Sequence, residues 1–589
     1  LQELYKSSPA GRLQLSISYI MSHSSQLFEK QPISVQNLNG FDKSHLVAGS
    51  AKTGQLVPVL FDLLMPKSIV DLGVVLNCEL PPLASNFFGR IDAVVEVFEC
   101  KLSILYGGFK QFISNQIATM FPSSQDSIVE SGGYLLPVIN VLNADVLAKI
   151  TSLDATNDGL FDFLGGSLSG SSAPGDISGL LLSLLPFLCY HRVWDCFYRN
   201  PSVTKTIFAV NPNPSVSVTS SEVTDSFSMR KNVSYVWHSF YASKDFYGAN
   251  LSTERYTVTS HVFSTLNELT FPDGVSVFET RQRCYSRDYF VAASTSPQQG
   301  AAPRLVMEVN DDDEASFDVA QLRSLVSLKH FLEVNQYDPT YRGSIRNHFD
   351  VNPSDAAIDE PTYIGRIVVP VYQKSVYQSV QGSGSEGSSN PFAAAGSLGA
   401  KGASGSMNGQ GEICHRYKTS AFSYLIGLFS LVPHAMYGYG FNRILLQREI
   451  GDFPFPEFQG VGMDAIKNYE VMNTGDYESD FAYIGRYSWM KYICDRTHGE
   501  LRPGRTLESF VLQRYYSEAP EFGTEFVTIS QDALDGVLAV DTATSKLSCW
   551  FEIYWVYKVV MPLAQFCVPT LGDMKDTHTV YTTQGGSRL

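Results

Sequence analysis

Two segments of the sequence combine cations with aromatic rings in a pattern that suits contact with a nucleic acid. The first is RQRCYSRDYF, residues 281–290, and the second is YIGRYSWMKYICDRTHGELRPGR, residues 483–505. Guanidinium and ammonium groups can neutralise phosphates, and ring faces can stack on unpaired bases. The candidate nucleic-acid-binding residues in these segments are Arg281, Arg283, Tyr285, Arg287, Arg486, Tyr487, Lys491, Arg496, Arg502 and Arg505.

The same residue types suit two other environments equally well. Arg and Tyr are enriched in interfaces between protein subunits, and a buried Arg can pair with a carboxylate inside one subunit. The sequence therefore leaves three alternatives open for these segments: a nucleic-acid contact, a subunit interface or an internal ion pair.

Motifs for catalysis and metal binding are missing from the sequence. It has no HExxH, GxxxxGK[ST] or GxSxG motif, and its one GxGxxG, at 382–387, lies in a Gly/Ser-rich tract with no helix behind it. The nine cysteines are an odd number without a CxxC pair, which is typical of a chain with reduced thiols. We therefore predict no catalytic residue, no metal ligand and no cofactor. Carboxylate pairs for glycoside hydrolysis stay an open alternative because such pairs are distant in sequence.

The composition of the 589-residue chain excludes a polybasic nucleic-acid binder. Its formal net charge is -16, so any contact with a nucleic acid must be local. Only 17% of its residues are charged while 12% are aromatic, a balance that suits a surface buried against neighbouring proteins. No stretch approaches the 18 uninterrupted apolar residues of a membrane span, and we expect no contact with a membrane.

Local periodicity predicts the main secondary-structure elements. Short β-branched and aromatic runs between Gly54 and Leu105, separated by Pro, Gly and Asn, predict strands. Apolar residues at helical spacing predict a buried helix in LLPFLCYHRVWDCFYRNP, a short helix in LNADVLAKI and a further helix over 317–334. Because strand patterns return near the C-terminus, we expect early and late strands to pair in one non-local sandwich.

Changes in composition along the chain predict five segments. Residues 1–202 form an N-terminal arm and the first strands with inserted loops, and residues 203–280 form a polar, β-rich insertion with its own small core. Residues 281–380 form a helix-containing insertion with linking strands, and residues 412–589 hold the remaining strands and a C-terminal tail. Residues 381–411 contain nine Gly and seven Ser, too little apolar surface to offset the entropy of ordering, and we predict a mobile loop there.

Several of these segments, taken in order, resemble the major capsid proteins of the Microviridae, the small icosahedral single-stranded DNA phages, and their gokushovirus-like branch in particular. Each segment is a weak signal alone, and their common order makes the resemblance specific. The segments are GFDKSHLVAGSAKTGQLVPV, LPFLCYHRVWDCFYRNP, RQRCYSRDYFVAASTSPQQG, LRSLVSLKHFLEVNQYDPTYRGSIRNHFDV, PTYIGR, YIGRYSWMKYICDRTHGELRPG and FEIYWVYKVVMPLAQFCVPTLG.

The resemblance implies a mainly β fold, an eight-stranded antiparallel jelly roll with long inserted loops and a few helices. It implies a homo-oligomer, a T=1 icosahedral shell that encloses a circular single-stranded DNA genome, located in the virion capsid and assembled in the cytoplasm of a bacterial host. No enzymatic activity is implied. Residues 203–280 match the position of an insertion that forms a protrusion near the three-fold axes, where it would contact a host cell-surface receptor.

The negative charge of such a subunit has a further implication. Either local basic patches or a separate small basic DNA-binding virion peptide must screen the genome, and the family commonly supplies such a peptide. An alternative from another class is a β-sandwich carbohydrate-active enzyme or surface lectin, which would also be acidic and rich in aromatic residues. A monomer of 65.1 kDa would favour this alternative, whereas particles of megadalton size would favour the shell.

Overall fold

A computed structural model describes residues 38–106, 109–113, 136–166, 181–208, 262–297, 341–377, 401–472 and 478–563, with short gaps inside several of these ranges and a few isolated positions between 323 and 331. Its strands are β1 Asn39–Asp42, β2 His45–Ala51, β3 Val57–Leu64, β4 Ile69–Glu79, β5 Ile91–Lys101, β6 Val138–Asn140, β7 Leu181–Ser183, β8 Val262–Phe263, β9 Thr362–Pro370, β10 Tyr372–Tyr377, β11 Lys401–Lys418, β12 Ser423–Pro433, β13 Met463–Lys467, β14 Asp480–Gly485 and β15 Cys549–Met561. Its α-helices are α1 Leu102–Leu105, α2 Phe109–Ile113, α3 Ala144–Ala155, α4 Leu160–Phe163, α5 Leu185–Phe197, α6 Tyr341–Phe349, α7 Asn468–Val471 and α8 Thr524–Val527.

Short 3-10 helices add to these elements. They are Arg443–Leu446, Ser488–Met490, Gly499–Leu501 and Glu508–Phe510. The chain divides into a small unit, to which the described residues 38–41 and 560–563 belong, and a large unit, residues 42–559. Within the small unit the side-chain amide of Asn39 donates to the carbonyl of Leu563 at 2.7 Å.

Two antiparallel sheets form the core of the fold. One contains β1, β15, β4, β11 and β10 in that order, with β2 also paired to β15, and the other contains β3, β12, β5 and β9. Cys549 of β15 is the partner of Ala51 of β2, so strands from opposite ends of the sequence share one sheet. The mainly β prediction and the non-local pairing are thereby confirmed. The count of eight jelly-roll strands stays a prediction, because these sheets hold six and four.

The two sheets pack face to face through the inner side of β15. Buried and exposed residues alternate along β15, as expected for a strand with one face on a core and one outside. Trp555 is completely buried and its indole N–H donates to the carbonyl of Val59 in the opposite sheet at 2.9 Å. Gly427 of β12 leaves room for this ring, since a Cβ there would lie 3.3 Å from it. The Phe429 and Phe551 rings, with centroids 4.4 Å apart, extend the same contact.

The mobile loop predicted over 381–411 is wrong for residues 401–411. These residues begin β11, which pairs with β4 from Ser406 to Lys418. Glycine permits close contact between the sheets here, because a Cβ on Gly409 would lie 2.5 Å from the side chain of Val369. The packing of β11 against its neighbouring strands therefore outweighs the unfavourable Gly/Ser-rich composition. Composition reflects only the apolar surface that the tract itself can bury. Residues 378–400 lie outside the described part of the chain.

The predicted buried helix is confirmed as α5, and it covers the outer side of the four-stranded sheet. Its Tyr190 is fully buried and donates its hydroxyl to the carbonyl of Leu56 at 2.9 Å. The short predicted helix in LNADVLAKI is confirmed as α3, whose N-cap Asn143 accepts a hydrogen bond from the N–H of Asp145. The helix predicted over 317–334 lies mostly outside the described residues, although the described positions within it are helical.

The insertion predicted over 203–280 does not form an independent core at its described ends. Phe208, Phe271 and Phe278 are almost completely buried in the same cluster as α5. In FPDGVSVFET, residues 271–280, the apolar side chains of Phe271, Val277 and Phe278 face the main subunit core. A removable insertion can therefore extend at most over 209–261, which lies outside the described residues.

We expect Trp555→Ala to lower the free energy of unfolding by about 3–5 kcal/mol, because it leaves a large cavity between the sheets. Trp550→Ala is the matched control, since Trp550 lies on the same strand with its ring on the exposed face, and its effect should stay below about 1 kcal/mol. Guanidinium unfolding of the dissociated subunit, followed by far-ultraviolet circular dichroism, measures both. Equal losses in the two variants would contradict the assigned packing.

Candidate nucleic-acid interface

The first candidate residue, Arg281, lies inside the subunit. It is 5% exposed, and its guanidinium forms an ion pair with Asp273. The same group lies over the rings of Trp194 and Phe271, at 4.6 and 5.2 Å from their centroids. The Nε–H of Arg281 donates to Nδ1 of His191 at 3.2 Å. These contacts compensate the charge of Arg281 inside the subunit.

His191 is the neutral partner of this arginine. Burial, and after it the positive charge of Arg281, lowers the pKa of His191 well below its usual value. Its Nε2 lies 3.0 Å from the carbonyl of Val277, so Nε2 carries the proton and Nδ1 is the acceptor. The arrangement is a structural one that ties α5 to the segment before residue 281.

Arg283 is also engaged inside the subunit. Its Nη1 lies 3.4 Å from a carboxylate oxygen of Glu96 and donates to the hydroxyl of Ser430 at 2.7 Å. The guanidinium lies over the Tyr198 ring, 5.2 Å from its centroid, and the Tyr198 hydroxyl donates to Glu96 at 2.7 Å. Arg283 therefore connects Tyr198, the residue directly after α5, with β5 and β12.

Tyr285 packs against a residue that the sequence analysis missed, Arg514. The Arg514 guanidinium lies 4.6 Å from the centroid of Tyr285, 4.1 Å from that of Phe526 and within 6 Å of Tyr437 and Tyr516. Its Nη2 donates to the carbonyl of Phe526 at 2.6 Å. Within the described part of the chain, no carboxylate forms an ion pair with it. The sequence signal was a single Arg directly before two tyrosines, too short a pattern to stand out.

Arg287, the last cation of the first segment, is exposed. It lies at a cavity of about 230 Å³ that Arg199 and Asn200 also line. Arg199 is already paired there with Asp195, at 3.0 Å. Arg287 is thus the member of the first segment whose charge faces solvent.

The second segment begins with two residues that support the backbone. Tyr487 is buried, with a φ of 60° in the left-handed region, and its N–H donates to Asp464 at 2.9 Å. Its hydroxyl oxygen accepts a hydrogen bond from the N–H of Phe455 at 3.3 Å. The partly buried Arg486 lies over the Tyr487 ring, 5.2 Å from its centroid. Both residues hold the turn that follows β14.

The later cations of the second segment reach the surface. Lys491, Arg502 and Arg505 are exposed, and the ion pair that Arg505 forms with the exposed carboxylate of Glu500 is long, at 3.9 Å. An exposed pair of this kind contributes little free energy and leaves the cation available. Arg496 is partly buried.

The fold brings the two segments together. The N–H of Ser294, shortly after the first segment, donates to the carbonyl of Tyr483 at 2.8 Å, and the reverse bond measures 2.9 Å. Below them, Tyr289 donates its hydroxyl to Glu470 at 3.2 Å. Burial raises the pKa of Glu470, although the nearby Arg443 acts in the opposite direction. The candidates therefore divide into internal residues and four exposed cations, Arg287, Lys491, Arg502 and Arg505.

Other chemistry receives no support from the described residues. No group of three or more His, Cys, Asp or Glu side chains among them is placed to hold a metal ion. His415, beside Cys414, instead contacts Asp71, with its Nδ1 3.0 Å from a carboxylate oxygen. In the same part of the chain, no helix is both long enough and apolar enough to cross a membrane.

Comparison with known proteins gives the family. The family model described as "Capsid protein (F protein)" matches residues 34–571. The chain is 21% identical to capsid protein VP1 of Chlamydia phage 1, in an alignment that covers 92% of this chain and 97% of the relative. It is 22% identical to capsid protein VP1 of Bdellovibrio phage phiMH2K, over 47% of this chain and 51% of that protein. The resemblance to Microviridae capsid proteins is thereby confirmed, and the chain belongs to the phage capsid protein (F protein) family as a structural major capsid protein.

Proposed function

We propose that copies of this chain assemble into a T=1 icosahedral shell around a circular single-stranded DNA genome, and that the chain has no enzymatic activity. The observation that carries the proposal is the capsid family match over residues 34–571, which spans both sheets and the segments between them. Exposed aromatic and aliphatic side chains on the described surface, among them Phe88, Phe349 and Tyr372, favour a subunit that is buried against neighbours.

The purified chain, expressed alone or with the other virion proteins, should form particles of megadalton size with icosahedral symmetry. Electron microscopy of the particles measures their size and symmetry directly. A stable 65.1 kDa monomer that hydrolyses or binds a sugar would contradict the proposal and favour the carbohydrate-active alternative.

The genome contact in this proposal is made by the four exposed cations Arg287, Lys491, Arg502 and Arg505. Cations bind DNA by neutralising phosphates and releasing counterions, without reading the sequence. Four cations per subunit are few for a chain with a net charge of -16. A small basic virion peptide therefore supplies the remaining positive charge in this proposal.

Arg287 and Arg281 form a matched pair for this proposal, one exposed and one buried in the same segment. We expect Arg287→Ala to change the free energy of unfolding by less than about 0.5 kcal/mol and to reduce the slope of log binding constant against log salt concentration by about 1. Arg281→Ala should lower the free energy of unfolding by about 2 kcal/mol or more, because it leaves Asp273 and two ring faces without their cation.

Salt titration of a fluorescent single-stranded oligonucleotide against the purified protein measures the slope, and denaturant unfolding measures stability. An Arg287→Ala protein with an unchanged salt slope would remove this residue from the genome contact. An Arg281→Ala protein of unchanged stability would show that the buried ion pair contributes nothing.

The host contact is assigned, within the same proposal, to residues 209–261, the part of the predicted insertion outside the packed ends at 208 and 269–280. Replacing 209–261 by a short Gly/Ser linker should leave particle assembly intact, because the buried anchors Phe208 and Phe271 are retained. Adsorption of the resulting particles to host cells should fall, as measured by particles remaining in the supernatant. Loss of assembly, or unchanged adsorption, would count against the assignment.

A further inference from the structure

The cavity beside Arg287 is large enough for a small organic ligand. Its volume is about 230 Å³, several times what one water molecule needs. Residues 195–201, at the end of α5 and directly after it, form one part of its lining, and residues 283–287 of the first basic segment form another. We call this space the arginine cavity, because Arg199, Arg283 and Arg287 all line it.

The lining of the arginine cavity carries an excess of positive charge. Its three arginines face a single lining carboxylate, that of Asp195. Asp195 is shared between two arginines, since its oxygens lie 3.0 Å from Arg199 and 3.6 Å from Arg192, which is outside the lining. Arg287 is exposed, and no carboxylate among the described residues forms an ion pair with it. The cavity therefore attracts an anionic group.

The two thiols in the lining do not change this balance. Burial raises the pKa of Cys196 to about 12 and also raises the pKa of Cys284 above its ordinary value. Both side chains are therefore uncharged thiols at neutral pH. They add surface that is only weakly polar to the cavity, which suits an organic group better than a bare ion.

Two carboxylates just outside the lining also leave the excess in place. Glu96 lies behind Arg283, 3.4 Å from its guanidinium. Asp288 follows Arg287 in the sequence, and its carboxylate accepts hydrogen bonds from the N–H of Val291 at 2.8 Å and from the Tyr437 hydroxyl at 2.7 Å. With both carboxylates counted, the arginines at and directly behind the lining still outnumber the acidic side chains.

An aromatic ring lies at the opening of the arginine cavity. Phe197, the last residue of α5, belongs to the lining and is 40% exposed. The buried ring of Phe98 packs against it, with the two centroids 4.8 Å apart, and holds it in place. Ser286 and Arg287, on the other part of the lining, are exposed as well. An exposed ring beside a cation is the arrangement on which an unpaired base stacks while its phosphate is neutralised.

We infer that the arginine cavity binds one unpaired nucleotide of the DNA genome, with its base against Phe197 and its phosphate beside Arg287. An inorganic anion would leave the ring uncovered and much of the volume unfilled. Every base has a ring face, so this contact tolerates any base and reads no sequence. The inference rests on the proposed genome contact of Arg287 and adds a base contact to it.

Two oligonucleotides of equal length separate a base contact from a phosphate contact. One is oligo-dT, and the other is an abasic chain that keeps every phosphate. In fluorescence anisotropy with dissociated subunits, the wild-type chain should bind oligo-dT more tightly than the abasic chain. Phe197→Ala should weaken the binding of oligo-dT about fivefold or more. It should leave the binding of the abasic chain and the salt slope unchanged, because both depend on phosphates.

Phe88→Ala is the matched control, since Phe88 is an exposed phenylalanine outside the lining of the cavity. This variant should bind both oligonucleotides as the wild-type chain does. Circular dichroism melting confirms that each variant folds.

Photo-crosslinking of the wild-type chain tests the same contact without a substitution. Iodouracil replaces thymine in the oligonucleotide, and irradiation joins it to an aromatic ring in contact with the base. Trypsin cleaves after Arg192 and Arg199, so residues 193–199 form one peptide of the denatured protein. We expect this peptide to carry the main crosslink, which tandem mass spectrometry should place on Phe197.

Equal binding of the two oligonucleotides by the wild-type chain would overturn the inference and leave the phosphate contact of Arg287 standing. Unchanged binding of oligo-dT by the Phe197→Ala protein, or crosslinks that avoid residues 193–199, would overturn it too. A wild-type chain that binds neither oligonucleotide would instead refute the proposed genome contact itself, so the two failures are distinguishable.

Discussion

The structure depends on one constraint: the last strand of the sandwich must return to the place where the first strands begin. Cys549 is paired with Ala51, and the N–H of Thr53 donates to the Ser548 hydroxyl at 3.0 Å, so the intervening chain starts and ends at nearly the same point. Trp555 then fixes β15 on the opposite sheet. Because closing a loop costs entropy only logarithmically with its length, long insertions are tolerated once this closure is made. The surface of the subunit is thus built from the long segments that are inserted between the strands of this closed sandwich.

Local periodicity in the sequence was sufficient for the elements whose packing depends on their own residues. The strands between Gly54 and Leu105 are apolar and β-branched runs, of which β4 alternates while β5 is buried on both faces, and the helices α3 and α5 repeat apolar residues at helical spacing. β11 could not be found in this way, since its glycines are explained by the proximity of Val369 in another strand. The same holds for residues 269–280, since the core that receives Leu269, Phe271, Val277 and Phe278 comes from distant parts of the chain.

Tertiary structure also decides whether each basic residue is buried or exposed. One short segment contains Arg281, Arg283 and Arg287. Arg281 and Arg283 are nonetheless internal, whereas Arg287 is exposed. Burying a guanidinium requires a carboxylate, a ring face or carbonyl groups to replace water, and these partners come from distant parts of the chain. Of the alternatives left open by the sequence, internal contacts describe Arg281, Arg283 and Tyr285. Arg514 shows that aromatic rings and a carbonyl can perform this task without an ion pair.

These buried arginines explain how irregular segments can still present a defined surface. Among the described residues between β12 and β15 the paired strands are β13 and β14, so side-chain contacts must fix the loops that carry exposed residues. Arg443 illustrates this, because it faces Glu470 and Asp464 at 3.6 and 3.8 Å while its neighbours Ile444 and Leu445 remain exposed. A subunit that carries a net charge of -16 repels its own copies, and apolar contacts are not weakened by that repulsion. Loops held rigid by internal ion pairs can therefore offer apolar side chains to a neighbour without losing their shape when the subunit is alone.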